Sequence, residues 1–454
     1  MNTSQKYYLI GICGTAMASL AGMLQARGCV VEGSDSDVYP PMSDFLERLG
    51  IRVYKGYRAE NLAASMPDTV VIGNALSRGN PEVEAVLDSE TRYASMAETV
   101  KELFIRGKNS IVVAGTHGKT TTTALMAWAL EQGGRKPSFL VGGIAENFGK
   151  SFQVSTGPDF VIEGDEYDTA FFDKRSKFVH YPARTAILNN LEFDHADIFP
   201  DLAAIETQFH HFVRTLPASG LVVANGADAA LARVLARGCY TPVERFGVAD
   251  GWAATTVAGD GFEVLWRGEK QGRVRWTLQG AHNQANALAA IAAARHCGVA
   301  PAQAITALGG YQGVKRRMEV RGVAGGVTVY DDFAHHPTAI AATLEGLRAR
   351  VRNSRILALL EPRSNTMKAG VMKDRLAASL AGADRVYCYS AGLQWDATAA
   401  LAQLGAKAEI HADFGRLLEA VSAEAKPGDH VVIMSNGGFN GIHEKLLARL
   451  AKSF

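Results

Sequence analysis

The sequence predicts an α/β protein of three domains. Three observations carry this. Short apolar runs alternate with helical patterns through most of the chain, as in parallel sheets covered by helices. Several of those runs end in polar residues, at the strand ends where open α/β sheets place their ligands. The chain has 454 residues, which at roughly 150 residues per domain makes about three domains.

The first domain is expected over 1–107 and is Rossmann-like. A strand in YYLIGI (7–12) meets a turn from Gly11 to Gly14, then a helix to about Arg27. CVVEGSD, ending at Asp35, and TVVIGN, ending at Asn74, supply further strands. The second domain, 108–314, is expected to be a P-loop-type ATPase built on a parallel sheet. Its strands are SIVVAG, FVIEGDE (160–166), TAILNN (185–190) and LVVAN (221–225). Between about 240 and 278 short alternating runs, FEVLW and RVRWTL, predict a small antiparallel insert. A long alanine-rich helix follows Gly280. The third domain, 315–454, is again Rossmann-like, with strands in GVTVYDD, RILALLE, RVYCYS and HVVIMSN.

Composition narrows the function. A formal net charge of +1 argues against a broad nucleic-acid or membrane surface. The N-terminus lacks the pattern of a signal peptide, and no run of about 18 apolar residues predicts a membrane helix. Five cysteines (Cys13, Cys29, Cys239, Cys297 and Cys388) form no CxxC pair. A reduced, cytoplasmic protein is expected.

The sharpest motif is GTHGKTT, residues 115–121. Gly115 and Gly118 let backbone N–H groups approach phosphate oxygens, together with Thr116 and His117 between them. The helix N-terminus beyond adds unpaired donors and a favourable dipole. Lys119 reaches terminal phosphates, the Thr120 hydroxyl reaches Mg²⁺, and Thr121 continues the helix start. VIEGDEYD places Glu163, Asp165, Glu166 and Asp168 after a buried run. One of these carboxylates completes a Mg²⁺ shell, or the stretch is a solvated acidic loop. His195, between Asp194 and Asp197, is open to a ligand role or a structural one. In GICGTAM, Cys13 occupies the middle glycine position of a dinucleotide fingerprint. Gly14 still opens a helix, and Asp35 ends the next strand where an acid often meets a ribose. Adjacent His335 and His336 suggest zinc, but neighbours on a strand end point apart and no other ligand spacing supports it.

In this order the pieces resemble the Mur ligases, the ATP-dependent amide-forming enzymes of peptidoglycan assembly. GTHGKTTT, Glu163, DHAD, GAHNQANALAAIAAA, RRME and YDDFAHHPTAI stand in the family's order over nearly the whole chain. GSDSDVYPPMS, EYDTAFFDKRSKFVHY, LEPRSNTMK and MSNGGFNGIHEKLL point to the branch that attaches a preassembled murein tripeptide. The resemblance implies that ATP, with Mg²⁺, activates the lactyl carboxylate of UDP-N-acetylmuramate as an acyl phosphate. The amine of L-Ala-γ-D-Glu-meso-diaminopimelate then displaces phosphate. The alternatives are the alanine-adding branch and, in another class, a P-loop ATPase switch.

The resemblance also implies roles. Lys119, His195 and Arg317 are catalytic. Thr120 and Glu163 hold one Mg²⁺, and His195 a second. His282, Asn283 and Asn286 meet adenine. Arg317, Asp332 and His335 reach the ATP site from the third domain. Gly11, Gly14, Thr15 and Asp35 take the UDP-sugar. Arg363, Ser364 and Asn365 grip the peptide. Three departures stand out: Gly164 replaces an expected alanine, Asn440 replaces an expected glycine, and the helix AIETQFHHFVR lacks the lysine that many relatives carbamylate.

Overall fold

The computed structural model describes residues 4–39, 42–257, 261–276, 278 and 280–453. Pro40 and Pro41 of GSDSDVYPPMS, and Thr277 of RVRWTL, lie outside the described residues.

Five parallel strands make the first sheet: Lys6–Ile10, Val30–Asp35, Arg52–Lys55, Thr69–Ile72 and Arg92–Ser95. They lie in the order third, second, first, fourth, fifth. The order therefore reverses at Lys6–Ile10, which pairs with both Val30–Asp35 and Thr69–Ile72. A crevice at the carboxyl ends follows from that reversal, and the Gly11–Gly14 turn sits there. The central strands are buried apolar runs. Arg52–Lys55 and Arg92–Ser95 carry charged, exposed residues, so neither shows in the sequence as an apolar run.

The second sheet has ten strands. Its middle is parallel: Asn109–Ala114 lies between Thr185–Leu188 and Asp159–Gly164. Three phosphate-site segments (the Gly115–Gly118 loop, Glu163 with Glu166, and Asn189 with Asn190) thus leave adjacent strand ends. The antiparallel insert is a meander, Trp252–Thr256, Phe262–Trp266 and Glu269–Val274. It extends the main sheet through the Phe246–Trp252 pairing. Its last strand begins earlier than RVRWTL suggests, with Gly272 at φ 145°, a value that glycine tolerates. Helices Lys119–Gln132 and Ala281–His296 pack together. Every residue from Asn286 to Ala294 is buried, and a run of small alanines permits the close approach.

The third sheet has six strands, not the four apolar runs alone. Glu319–Ala324 is added antiparallel at one edge and Ala408–His411 parallel at the other. Both are half-exposed, mixed-polarity edges. Asn440 has φ 50° and ψ 27°, the left-handed region that asparagine adopts more readily than most residues. No helix among the described residues is long and apolar enough to cross a membrane.

Candidate functional site

The Gly115–Gly118 loop is shaped by the next strand end. Thr116 N–H donates to Asn190 O at 3.1 Å, and His117 N–H to Asn190 Oδ1 at 2.7 Å. Gly118 has φ 79°, and a β-carbon there would come within 2.6 Å of Asn286 Oδ1. Asn189 donates to the Thr122 hydroxyl at 2.9 Å. Glycine is required at 118 for both backbone and space, and Asn189 and Asn190 hold the loop in place.

Lys119 and Thr120 occupy the first two positions of the helix and each faces a carboxylate. Lys119 Nζ donates to both Glu166 oxygens, at 2.9 and 2.6 Å, and to Gly115 O at 2.7 Å. Burial opposes the ammonium charge, but Glu166 and Asp165 outweigh it and raise the lysine pKa. Thr120 Oγ1 donates to Glu163 Oε2 at 3.2 Å, and Arg317 Nη2 donates to the same hydroxyl at 3.1 Å. Glu163 also accepts from Gly142 N–H at 2.5 Å. Burial raises its pKa despite nearby Lys119 and Arg317. A desolvated carboxylate beside a hydroxyl is a fit oxygen donor pair for Mg²⁺.

Glu166 is 2% exposed and also takes His195 Nε2 at 2.9 Å. The His195 ring packs on Tyr167, with centroids 4.2 Å apart. One buried carboxylate therefore joins Lys119 to His195. The sequence grouped Glu166 with three other acids and could not single it out.

A cavity of about 820 Å³ opens beside the loop. His117, Gly118, Thr120 and Thr121 line one side, and His282, Asn283 and Asn286 another. Arg317 and Asp332 close it from the third sheet. Arg317 stacks over Phe333 at 4.7 Å. Asp332 accepts from Met318 and Ala334 N–H and from Thr343, and burial raises its pKa. His335 turns the other way, toward Asp194 at 3.9 Å. His336 caps the helix Pro337–Val351, so the two histidines do point apart.

The remaining residues form two further groups. Gly11 has φ 81°, and Gly14 and Thr15 present an exposed helix start. Asp35 Oδ2 accepts from Cys13 N–H at 2.9 Å and Oδ1 from Asp37 N–H at 3.1 Å. Asp35 thus braces its loop. On the third sheet, Ser364 caps the short helix Asn365–Lys368 and Asn365 donates to Asp197 at 2.8 Å. The Ser364 hydroxyl proton and Asn365 Oδ1 take no part in these bonds. Arg363 is about half exposed, 3.9 Å from Glu361, and Gly437 leaves the room its side chain fills. Ala196 N–H donates to Thr366 Oγ1 at 3.1 Å, which sets this segment against the His195 loop.

Comparison with known proteins agrees with this arrangement. Three profiles match in order: "Mur ligase family, catalytic domain" over 6–107, "Mur ligase middle domain" over 113–294, and "Mur ligase, glutamate ligase domain" over 316–437. The chain is 51% identical over 451 residues to the UDP-N-acetylmuramate–L-alanyl-γ-D-glutamyl-meso-2,6-diaminoheptandioate ligase of Escherichia coli (strain K12), covering 98% of each. A UDP-N-acetylmuramate–L-alanine ligase of Dinoroseobacter shibae is 32% identical, over 98% of this chain and 97% of that one. The crystal structure of a murein peptide ligase from Psychrobacter arcticus 273-4 superposes with a TM-score of 0.77 at 42% identity, covering 99% of both chains.

Proposed function

The chain belongs to the Mur ligase family, and on that footing we propose that it joins L-Ala-γ-D-Glu-meso-diaminopimelate to UDP-N-acetylmuramate at the expense of ATP. The observation that carries this is the single cavity where the phosphate loop, the Asn283–Asn286 helix start and Arg317 with Asp332 meet. The 51% identity over 98% of both chains to the tripeptide ligase of Escherichia coli supports the choice of amine. The alanine ligase stands at 32%.

A carboxylate does not condense with an amine unaided, because hydroxide leaves poorly. The lactyl carboxylate oxygen attacks the γ-phosphorus, and ADP departs. The peptide amine then attacks the acyl carbon, a tetrahedral intermediate collapses, and phosphate leaves. Catalysis is positioning and charge neutralisation. Lys119, drawn from Glu166, meets the transferring phosphoryl group. Thr120 and Glu163 would hold Mg²⁺, with His195 at a second ion, supplying positive charge between carboxylate and phosphate. Gly115, Thr116, Gly118 and Thr121 cradle the phosphates. His282, Asn283 and Asn286 take adenine, and Asp332 the ribose. Arg317 enters with the third domain, so closure completes the site. Gly11, Gly14 and Thr15 hold the UDP-sugar on a loop that Asp35 braces. Arg363 grips a peptide carboxylate, Ser364 and Asn365 add hydrogen bonds, and His335 lines the approach. Nucleotide substrates support a cytoplasmic location for the reaction.

The test is phosphate release from ATP and Mg²⁺ with UDP-N-acetylmuramate, adding either L-alanine or the tripeptide, with mass detection of the product. Product from the tripeptide alone is expected. Product from alanine alone transfers the protein to the biosynthetic branch. ATP turnover independent of both acceptors makes it a switch.

A further inference from the structure

His336 does not pair with its neighbour, but it meets two residues from distant parts of the chain. We infer that His117, Glu192 and His336 form a site for a transition-metal ion of the zinc class, separate from the Mg²⁺ positions at Thr120, Glu163 and His195. One donor atom from each residue lies within 4.8 Å of the others. His117 Nε2 is 3.8 Å from Glu192 Oε1, and His336 Nδ1 is 3.9 Å from Glu192 Oε2; its lone pair, which accepts from Thr338 N–H at 3.3 Å, would pass from the cap to the ion. The two rings approach to 4.7 Å between centroids. His117 Nε2 is buried without a hydrogen-bond partner, although its side chain lines the cavity. A buried ring nitrogen left unpaired calls for an explanation.

The donor set chooses the ion. Two imidazoles and one carboxylate match three-ligand zinc sites that keep a fourth position open. Mg²⁺ prefers six oxygens and keeps its waters, whereas imidazole suits zinc, copper and nickel. Ligands at about 2.0–2.2 Å in a tetrahedron stand roughly 3.3 Å apart, so small side-chain movements close the observed triangle. Glu192 is already oriented: Thr338 donates to its Oε2 at 2.7 Å, and Arg375 lies at 3.5 Å. Outer partners of this kind fix a ligating carboxylate.

The placement gives the ion a consequence. His117 belongs to the phosphate loop, Glu192 follows the strand Thr185–Leu188, and His336 caps the helix Pro337–Val351 of the third sheet. A bound ion ties the third sheet to the nucleotide cavity. Its ligands escape a reading of spacing because they come from three separate segments.

The test uses full-length, chelator-treated protein without nucleotide and Co²⁺ as the probe, followed by its visible absorption and by its effect on thermal unfolding. One Co²⁺ per chain is expected, retained against excess Mg²⁺. Glu192→Gln and His336→Asn should each weaken it at least about 10-fold, and His195→Asn should not. Asparagine still caps a helix, and circular dichroism checks each variant's fold. Absence of the band overturns the site, as does unchanged affinity in both Glu192→Gln and His336→Asn. Loss in His195→Asn with retention in His336→Asn moves the ion to the reaction centre and equally overturns it.

Discussion

Two loops in this molecule share a plan and differ in their charges. Each leaves a buried parallel strand, turns on a glycine of positive φ, and opens a helix of twelve residues or more. In the first, the helix begins Thr15-Ala16-Met17 with no cation. The nearest carboxylate, Asp35, holds the loop's own Cys13 N–H. In the second, Lys119 and Thr120 open the helix, and Glu166 and Glu163 wait opposite them. The same turn geometry therefore suits two tasks. Backbone donors and a helix dipole suffice to bind a diphosphate. Moving a phosphoryl group also needs mobile positive charge set against carboxylates.

The largest test of that contrast is Lys119→Ala. It should lower the rate of phosphate release by about 10³-fold, while UDP-sugar binding at the other loop holds. A loss of less than tenfold would show that the second loop also works through its backbone alone. Next comes Glu166→Gln, which takes from the buried Lys119 ammonium the carboxylate it is hydrogen-bonded to. The nucleotide-free protein should lose roughly 3 kcal/mol of stability. ATP supplies the missing negative charge, so thermal unfolding with ATP should narrow the gap. Unfolding unchanged from wild type would mean that Glu166 does not hold Lys119. Smaller is Asp35→Asn, whose amide can accept with one oxygen only. The KM for the UDP-sugar should rise about tenfold, consistent with one lost charged hydrogen bond, with kcat little changed. A fall in kcat at constant KM would put Asp35 in the chemistry and erase the distinction.

The sequence made one half of this comparison legible and obscured the other. GTHGKTT fixed the second loop because each residue type there has a separate task, and the apolar strands beside it stood out for their continuity. Asn189 and Asn190 were visible at the end of TAILNN, but nothing local says that a neighbouring loop needs their side chains. Glu166 was one acid among four, and only the turn after Gly164 decides which carboxylate faces Lys119. Asp35 was read as a sugar-side acid from its distance along the chain, and the bonds it accepts from Cys13 and Asp37 N–H were not legible there. Ser364 and Asn365 carry a similar second duty, a helix cap and a contact with Asp197, that no local pattern announces. The edge strands Arg52–Lys55, Arg92–Ser95 and Glu319–Ala324 escaped because a half-exposed edge has no apolar run to display.

The finest distinction is in pH. The first loop has no histidine, whereas His195 stands beside the second on Glu166. Burial opposes its charge, but the hydrogen bond and charge of Glu166 hold its pKa above the ordinary value. A raised folded pKa means that the folded protein binds the proton more tightly than the unfolded chain. This contribution is complete below the unfolded value of about 6.5 and is lost as pH rises through the higher folded value. His117, His335 and His336 have pKa values lowered by burial, so they act with the opposite sign. Subtraction removes them: unfolding temperatures of wild type minus His195→Gln, without nucleotide, should decline as pH rises above about 6.5. The same subtraction made in a Glu166→Gln background should lose that decline, because burial then opposes the charge without Glu166. A difference that grows with pH would mean that His195 is held neutral, and Glu166 would then serve Lys119 alone.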